Sequence, residues 1–194
     1  YTAEQSLAFK KGFLQKPVID IWAYKLLDAL KEKFPNYDYK TRKYSYLSTI
    51  DIDNAYAYKH KSLIRSVGGF LNDFVKFRVF DVWNRFAVIV KLKKDPFDTF
   101  SKLLNFRKEY EAQTIFFCSV GDYTTHDTNV SASKNKYRLL IKEMVDYAKV
   151  GLHPFYFSMQ ESILLKKEKE RLEKITNMPV KRSRQHYLRF NLPE

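Results

Sequence analysis

The stretch YSYLSTIDID, residues Tyr44–Asp53, ends a β-favouring run with two carboxylates that are one residue apart. Aromatic and β-branched residues of this kind favour a buried strand, which we predict over Tyr46–Ile52. Asp51 and Asp53 then lie at the carboxyl end of that strand. Two acids this close repel each other unless a cation, a proton or hydrogen bonds offset their charge. The sequence therefore places its first candidate chemistry at this strand end.

Strands and helices alternate along the rest of the chain. Three further strands are predicted from the runs TIFFCSV (114–120), VGLHPFYF (150–157) and VKRSRQHYLRF (180–190). Helices are predicted from a cap at Asp95, over NKYRLLIKEMVDYAK (135–149), and from a Ser158–Glu161 capping box to Ile175. This order predicts an α/β fold built from parallel βα units. Crossovers of this kind bring the carboxyl ends of all strands to one side, where the active sites of α/β barrels lie.

Two helical segments lie outside this alternation. From Pro17 to Phe34 the apolar residues recur at spacings of three and four, which indicates one face of a helix that Pro35 must end. The stretch 54–94 is amphipathic and rich in aromatic residues, and it predicts helices broken at Gly68 and Gly69. We therefore predict a helical region over 1–45 and an α/β domain over 46–194 with a helical insertion at 54–94.

Charge, cysteine content and hydropathy exclude several classes of protein. Lysine and arginine total 35 against 22 acidic residues, and the net charge of +13 favours anionic partners. Much of this charge alternates with glutamate in LLKKEKERLEKI (164–175), which indicates a solvated helix face, and no nucleic-acid-binding motif is present. We therefore expect no specific nucleic-acid ligand. The single Cys118 excludes an internal disulfide and a multi-cysteine metal site. The longest apolar run, FAVIV, is far shorter than the roughly 20 residues that span a bilayer.

Two histidines fall at the ends of predicted strands, as the two acids do. His153 falls in or near the third strand and His186 in the fourth, so both can meet Asp51 and Asp53 at one rim. Two carboxylates and two imidazoles suit a divalent metal ion, and Asp53, His153 and His186 can supply the three ligands of a catalytic site. Asp51 would then remain beside the metal to accept a proton from a bound water. The alternative is that each histidine is a hydrogen-bonded residue near the core.

These residues also carry a resemblance to a known family. The motifs STIDID, VGLHPFYFS and SRQHYLRF resemble, in order, three motifs of polysaccharide deacetylases of the NodB-homology type, carbohydrate esterase family 4. The resemblance is closer to a divergent bacterial branch that has an extra N-terminal region. It implies a partial (β/α) barrel over 46–194, with the C-terminal part of the barrel expected beyond Glu194, so the chain is expected to be a fragment.

The resemblance also implies roles for individual residues. Asp51 matches the general base and Asp53 a metal ligand, displaced by one residue because Ile52 intervenes. His153 matches the first metal-binding histidine, but position 157, where the second is expected, is phenylalanine. We expect His186, at the proline position of the family's R-x-P-Y motif, to replace that ligand. Arg184 and Tyr187 match the same motif, which implies that Arg184 orients Asp51 and that Tyr187 binds substrate.

The expected function is that of a metal-dependent hydrolase. It removes N-acetyl or O-acetyl groups from a glycan by means of a metal-activated water and an aspartate base, with zinc expected first and iron, cobalt, nickel or manganese as alternatives. The competing hypothesis is a catalytically inactive glycan- or polyanion-binding module that keeps the same fold. An open parallel sheet edge also predicts a homodimer. The bacterial compartment, cytoplasmic or envelope-associated, stays open.

Overall fold

The computed structural model describes residues 2–40 and 43–188, and within these ranges it does not describe the side chains of residues 3, 63–65 and 188. Contacts between residues divide the chain into two compact units, Tyr1–Ser45 and Tyr46–Glu194. The described part contains no helix with the length and hydrophobicity needed to cross a bilayer.

The first unit contains two helices, α1 (Leu7–Lys10) and α2 (Val18–Lys33). The predicted helix is confirmed, since Pro17 occupies the N-cap of α2 and the helix stops one residue before Phe34. No residue of α2 is buried. Its apolar stripe, which includes Ile19 and Trp22, is exposed.

The second unit is built on a parallel three-stranded sheet. Its strands are β1 (Leu47–Ile52), β2 (Gln113–Cys118) and β3 (Lys149–Leu152), in the order β1-β2-β3. The first two predicted strands are thus confirmed. The third, predicted over 150–157, is confirmed only as far as Leu152, because a 3₁₀ helix follows at Tyr156–Met159. All three strands are parallel, as predicted. The register pairs Ile52 with Cys118 and Cys118 with Leu152, so the three carboxyl ends are level. The chain that leaves each strand therefore starts from the same edge of the sheet.

The predicted fourth strand is wrong. Residues 180–185 are extended, but their contact with the sheet is an isolated parallel bridge between Leu152 and Ser183. The segment carries four charged or amide side chains within 181–185, so it has little apolar surface to bury on either face of a sheet. It then turns into a 3₁₀ helix at His186–Leu188, and residues 189–190 of the prediction lie outside the described ranges.

The second unit has an α/β fold, and its sheet is not closed into a barrel within the described residues. The predicted burial of β1 is also wrong, because β1 pairs with β2 alone among the described strands. Leu47 is 49% exposed, and only Ile52 in this strand is buried. The edge position leaves one side of β1 without a covering strand.

The insertion forms the helices α3 (Leu63–Val75) and α4 (Val79–Ile89). The predicted break at Gly68 and Gly69 is wrong, since α3 continues through both residues. The turn comes instead at Phe77, which has a left-handed φ of 53°. Gly69 serves close packing: a Cβ at this position would lie 2.4 Å from the Arg85 guanidinium of α4.

Three further helices cover the sheet: α5 (Phe100–Glu109), α6 (Asn135–Tyr147) and α7 (Ser162–Thr176). Helix α6 is confirmed as predicted, and its Tyr137, Ile141 and Met144 are fully buried. They pack into a core with Phe116 of β2 and Leu172 of α7. Parallel strands need helical connections between them, and these helices cover the sheet. The core between the sheet and helices α6 and α7 fits this arrangement.

Two predicted helix starts are wrong. Helix α5 begins after Thr99, and the Asp95 carboxylate instead accepts hydrogen bonds from the backbone N–H groups of residues 57–59 and of Phe97. Helix α7 begins after Glu161 without a side-chain cap, and the Ser158 hydroxyl donates to Glu168 Oε1 at 2.7 Å. Asp95 and Ser158 thus bind residues that lie ten or more positions away. A capping pattern, which spans four residues, cannot predict such partners.

The buried Glu168 corrects the expectation of a fully solvated α7. Its carboxylate also accepts from the N–H of Phe155 at 3.2 Å, and burial raises the pKa of Glu168. Most other charged residues of α7 are exposed, as Lys169 is in its 3.3 Å pair with Glu173. Arg171 is a second exception, since it is half-buried and donates to the Val120 carbonyl oxygen at 2.6 Å. Glu168 therefore binds groups of the segment after β3 instead of facing solvent.

Candidate metal centre

Three of the predicted site residues lie together at the carboxyl edge of the sheet. Asp53 directly follows β1, His153 directly follows β3, and His186 begins the 3₁₀ helix that follows the Leu152–Ser183 bridge. One carboxylate oxygen and one ring nitrogen from each histidine all lie within 4.8 Å of one another. The two imidazole rings are 4.9 Å apart between centroids. The level strand ends bring these residues together across more than 130 positions of sequence.

The Asp53 carboxylate faces both histidines. Its Oδ1 is 2.9 Å from His153 Nε2 and 3.7 Å from His186 Nε2. The His153 imidazole beside it lowers the pKa of Asp53, and this effect outweighs the opposing effect of burial. The Asp53 side chain is 58% exposed. The Asp53 side chain is therefore accessible to solvent.

His153 is the buried member of the group, with 2% of its surface exposed. Its Nδ1 is 2.6 Å from the Arg184 carbonyl oxygen, an acceptor, so we assign the Nδ1 proton to this bond. Nε2 lies 2.9 Å from Asp53, but the direction is not that of a hydrogen bond, and this buried nitrogen has no hydrogen-bond partner. Burial alone would lower the pKa of His153, but Asp53 and the Arg184 carbonyl together raise it.

His186 is held on its other side by an aspartate that the sequence analysis did not identify. Its Nδ1 lies 2.7 Å from Oδ1 of Asp127, a residue that is 1% exposed. Asp127 belongs to the polar loop after β2, in the sequence GDYTTHDTNV (121–130). The available signal was its position, because this loop leaves the same sheet edge as Asp53 and His153. Composition alone gave no reason to select it over Asp122.

Arg184 lies against Asp51, as the resemblance implies. Its guanidinium donates to Asp51 Oδ1 at 3.0 Å and to Thr49 Oγ1 at 2.8 Å, and it stacks on the Phe117 ring at 4.7 Å. Thr49 and Asp51 share one face of β1 because side chains two residues apart point the same way. The backbone of Arg184 also holds His153, so one residue orients both an acid and an imidazole.

Tyr187 lies at the rim of this group. Its ring is 4.3 Å from the His186 ring and 5.5 Å from that of Tyr156, and its hydroxyl donates to the His126 carbonyl oxygen at 3.2 Å. The residue has a left-handed φ of 61°, which is unusual for a tyrosine and is often found at functional sites. Its side chain is exposed and accessible to a ligand. His126 is exposed, and its ring stacks on that of Tyr156 at 4.2 Å.

Phe157, where the resemblance places a second histidine, lies in an aromatic cluster. It belongs to a 3₁₀ helix at Tyr156–Met159, and its ring packs against Tyr156 at 5.1 Å and His126 at 5.5 Å. The absence of a histidine at this position is thus accompanied by an aromatic cluster. His186, not position 157, provides the second imidazole near Asp53.

An open groove of about 430 Å³ leads to the two acids. Asp51, Asp53 and Asn54 line one side, and Phe97 and Leu103 line the other. Asn54 Oδ1 is buried without a hydrogen-bond partner. The groove can therefore admit a ligand to the carboxylates at the end of β1.

Comparisons with known proteins leave the α/β unit without an assigned family. Residues 1–35 match the model of a family of unknown function, DUF7033. This match covers less than a fifth of the chain and contains no residue of the candidate site. No curated protein and no solved structure shows significant similarity to the chain.

Proposed function

We propose that the unit over 46–194 carries the metal-binding side of a hydrolase that removes N-acetyl or O-acetyl groups from a glycan. The observation that supports this proposal is the grouping of one carboxylate and two imidazoles, with donor atoms within 4.8 Å of one another. Three protein ligands and an open position are the pattern of catalytic zinc sites. The proposed barrel fold of the deacetylase type rests on the three motif resemblances.

The donor atoms fit a divalent ion in number and kind, and the two distances from Asp53 Oδ1 also fit its spacing. Zinc–ligand bonds of about 2.0–2.2 Å place tetrahedral ligand atoms about 3.3 Å apart. The two distances from Asp53 Oδ1, 2.9 Å and 3.7 Å, lie on either side of that value. His153 Nε2 is a buried nitrogen without a hydrogen-bond partner, and a buried polar atom of this kind calls for a ligand or a proton. Asp53, His153 and His186 would hold the ion.

The chain's own residues have distinct roles in the proposed reaction. When bound, a divalent ion lowers the pKa of a water ligand and polarises an acyl oxygen. Asp51 accepts the proton, since its carboxylate lies two residues from Asp53 and lines the same groove. Arg184 holds the Asp51 oxygen at 3.0 Å and is itself anchored by Thr49 and Phe117, so the base has a fixed orientation. Tyr187 offers an exposed ring to a sugar.

Metal binding tests the site directly. The chain is titrated with Zn²⁺ by calorimetry, and bound metal is counted by mass spectrometry. We expect one equivalent of zinc, and at least a 100-fold loss of affinity in Asp53→Ala, an exposed position where truncation leaves the core intact. His60→Ala is the matched control, because this histidine packs on Tyr56 and is not one of the three proposed ligands. Equal zinc affinity in the wild type and Asp53→Ala would refute the assignment.

Activity tests the reaction. The natural full-length protein is assayed for acetate release from N-acetylated oligosaccharides. We expect Asp51→Asn to lower kcat by about 100-fold or more while zinc affinity changes by less than about threefold, because the amide cannot accept the proton. Acetate release that is unchanged in Asp51→Asn would exclude this residue as the base.

A second candidate function is a binding module without catalysis. Phe157 in place of a histidine and the net charge of +13 favour it. Such a module would bind an acidic glycan with an affinity that falls steeply with salt, and it would contain no stoichiometric metal. The zinc titration therefore separates the two candidates before any substrate is known.

A further inference from the structure

A buried carboxylate lies behind His186, on the side away from Asp53. The Asp127 side chain is fully buried, and its two oxygens have different partners. Oδ2 accepts from the Thr124 hydroxyl at 2.9 Å and from the Tyr156 N–H at 3.0 Å. Oδ1 is 2.7 Å from His186 Nδ1. The loop that carries Asp127 is closed on itself, since the Thr124 N–H donates to the Asp127 carbonyl at 3.0 Å.

These contacts determine which ring nitrogen of His186 carries the proton. An ionised carboxylate only accepts hydrogen bonds, so at 2.7 Å the Nδ1 atom must be the donor. In a neutral imidazole Nε2 is then unprotonated, and its lone pair is available. This is the nitrogen that faces Asp53 Oδ1 at 3.7 Å. The Arg184 carbonyl imposes the same proton position on His153.

We infer that Asp127 is a positioning residue, which keeps the His186 proton on Nδ1 so that Nε2 can bind a divalent ion beside Asp53. The inference rests on the proposed function for the identity of the ligand, but the position of the proton can be measured without metal. A carboxylate that orients a metal-binding histidine typically contributes 10- to 100-fold to metal affinity.

The substitution Asp127→Asn tests the proton position with little change in shape. The asparagine oxygen is expected to face Thr124 and Tyr156, because the Tyr156 N–H is fixed in direction and can only donate. Its NH₂ group then faces His186 Nδ1, which must accept. The His186 proton moves to Nε2, the atom that would bind the ion.

The readout is the tautomer of His186 in the zinc-free protein. Long-range ¹H–¹⁵N correlation spectra distinguish protonated from unprotonated ring nitrogens, and His186→Ala assigns the signals among the four histidines. Spectra are recorded at about pH 9, well above the ordinary imidazole pKa of about 6.5. We expect the Nδ1–H form in the wild type and the Nε2–H form in Asp127→Asn. Zn²⁺ affinity is expected to fall about 10- to 100-fold in the variant.

Thr124→Val is the matched control. It removes the hydroxyl that donates to Asp127 Oδ2 and accepts from the N–H groups of His126 and Asp127. It therefore disturbs the loop but keeps the carboxylate that faces His186. We expect the Nδ1–H form and a change in Zn²⁺ affinity of less than about threefold. An equal loss of affinity in Thr124→Val and Asp127→Asn would overturn the inference, since it would assign the effect to the loop.

The wild-type spectrum is a test that does not depend on the folding of any variant. An Nε2–H form of His186 in the wild type would overturn the inference at once. Failure of the proposed function has a different signature: the wild type binds no zinc, while the tautomer still changes in Asp127→Asn. In that case Asp127 still determines which nitrogen of His186 carries the proton, and the proposed metal site is refuted.

Discussion

Asp95→Asn is expected to destabilise the α/β unit, because one buried carboxylate closes the base of the 54–94 insertion. Asp95 is 2% exposed and accepts four backbone hydrogen bonds. The donors are the N–H groups of Ala57, Tyr58 and Lys59 at 2.9 Å and that of Phe97 at 3.0 Å. The chain that follows Asp53 is thereby tied to the start of the segment leading into α5.

The magnitude follows from the number of lost acceptors. Asparagine keeps one oxygen, which can accept two of the four bonds, and brings an NH₂ group against the other two donors. Two lost hydrogen bonds to a charged group, at about 1.5 kcal/mol each, give about 3 kcal/mol. We expect a fall of that size in the free energy of unfolding at pH 7, measured by urea denaturation and far-UV circular dichroism.

The effect should depend on pH in one direction. Burial alone would raise the pKa of Asp95, but the four N–H donors together lower it below its ordinary value. The unfolded aspartate has a pKa of about 3.9, so the carboxylate contributes its full stabilisation above that value and loses it as pH falls toward the folded pKa. The difference between wild type and Asp95→Asn should therefore shrink below about pH 4.

Asp98→Asn is the matched control, since Asp98 lies on the same turn and the described residues show no hydrogen bond to its carboxylate. We expect a change of less than about 0.5 kcal/mol. The reasoning would be refuted if Asp95→Asn were no less stable than Asp98→Asn at pH 7, or if its deficit stayed constant down to pH 3.

Three further predictions concern the sheet and the core. Gly151→Ala should cost about 1–3 kcal/mol in urea denaturation, because a Cβ would lie 2.7 Å from the Phe117 ring and 3.0 Å from the Arg182 carbonyl; an unchanged midpoint would contradict this packing. Cys118 is buried and its thiol pKa is raised to about 12, so a thiol reagent at pH 8 should label it only after denaturant is added. Asn129→Ala should cost about 2–4 kcal/mol, because the buried amide links the N–H of Ala55 to the Ser119 carbonyl, and loss of less than 1 kcal/mol would show that solvent replaces these bonds.

The sequence predicted the elements whose pattern is local. Helices α2 and α6 follow from apolar spacing, and β2 follows from a continuous apolar run between polar turns. The parallel direction of the strands follows from the alternation of strands and helices. The predicted break in α3 failed because glycine is tolerated inside a helix, and Gly69 lies where the Arg85 side chain of α4 packs closely. This contact between two helices is not recorded in the periodicity of one helix.

The candidate site divides in the same way. Asp53, His153 and His186 were identified by type and by position at strand ends, and the structure places them together. Their roles as metal ligands stay a prediction. Asp127 was not identified, because nothing in its local sequence distinguishes an aspartate that binds a histidine from one that faces solvent.

The amino-acid sequence by itself determined helices α2 and α6, the three parallel strands and the residue types that stand at the strand ends. Those properties depend on side chains that are neighbours along the chain, so a linear pattern records them. Only the tertiary structure decided that Asp95 binds a loop rather than a helix end, that Glu168 is buried, and that Asp127 faces His186. A carboxylate can satisfy its charge with any donor within reach, and which donors are within reach is fixed by the packing of helices on the sheet.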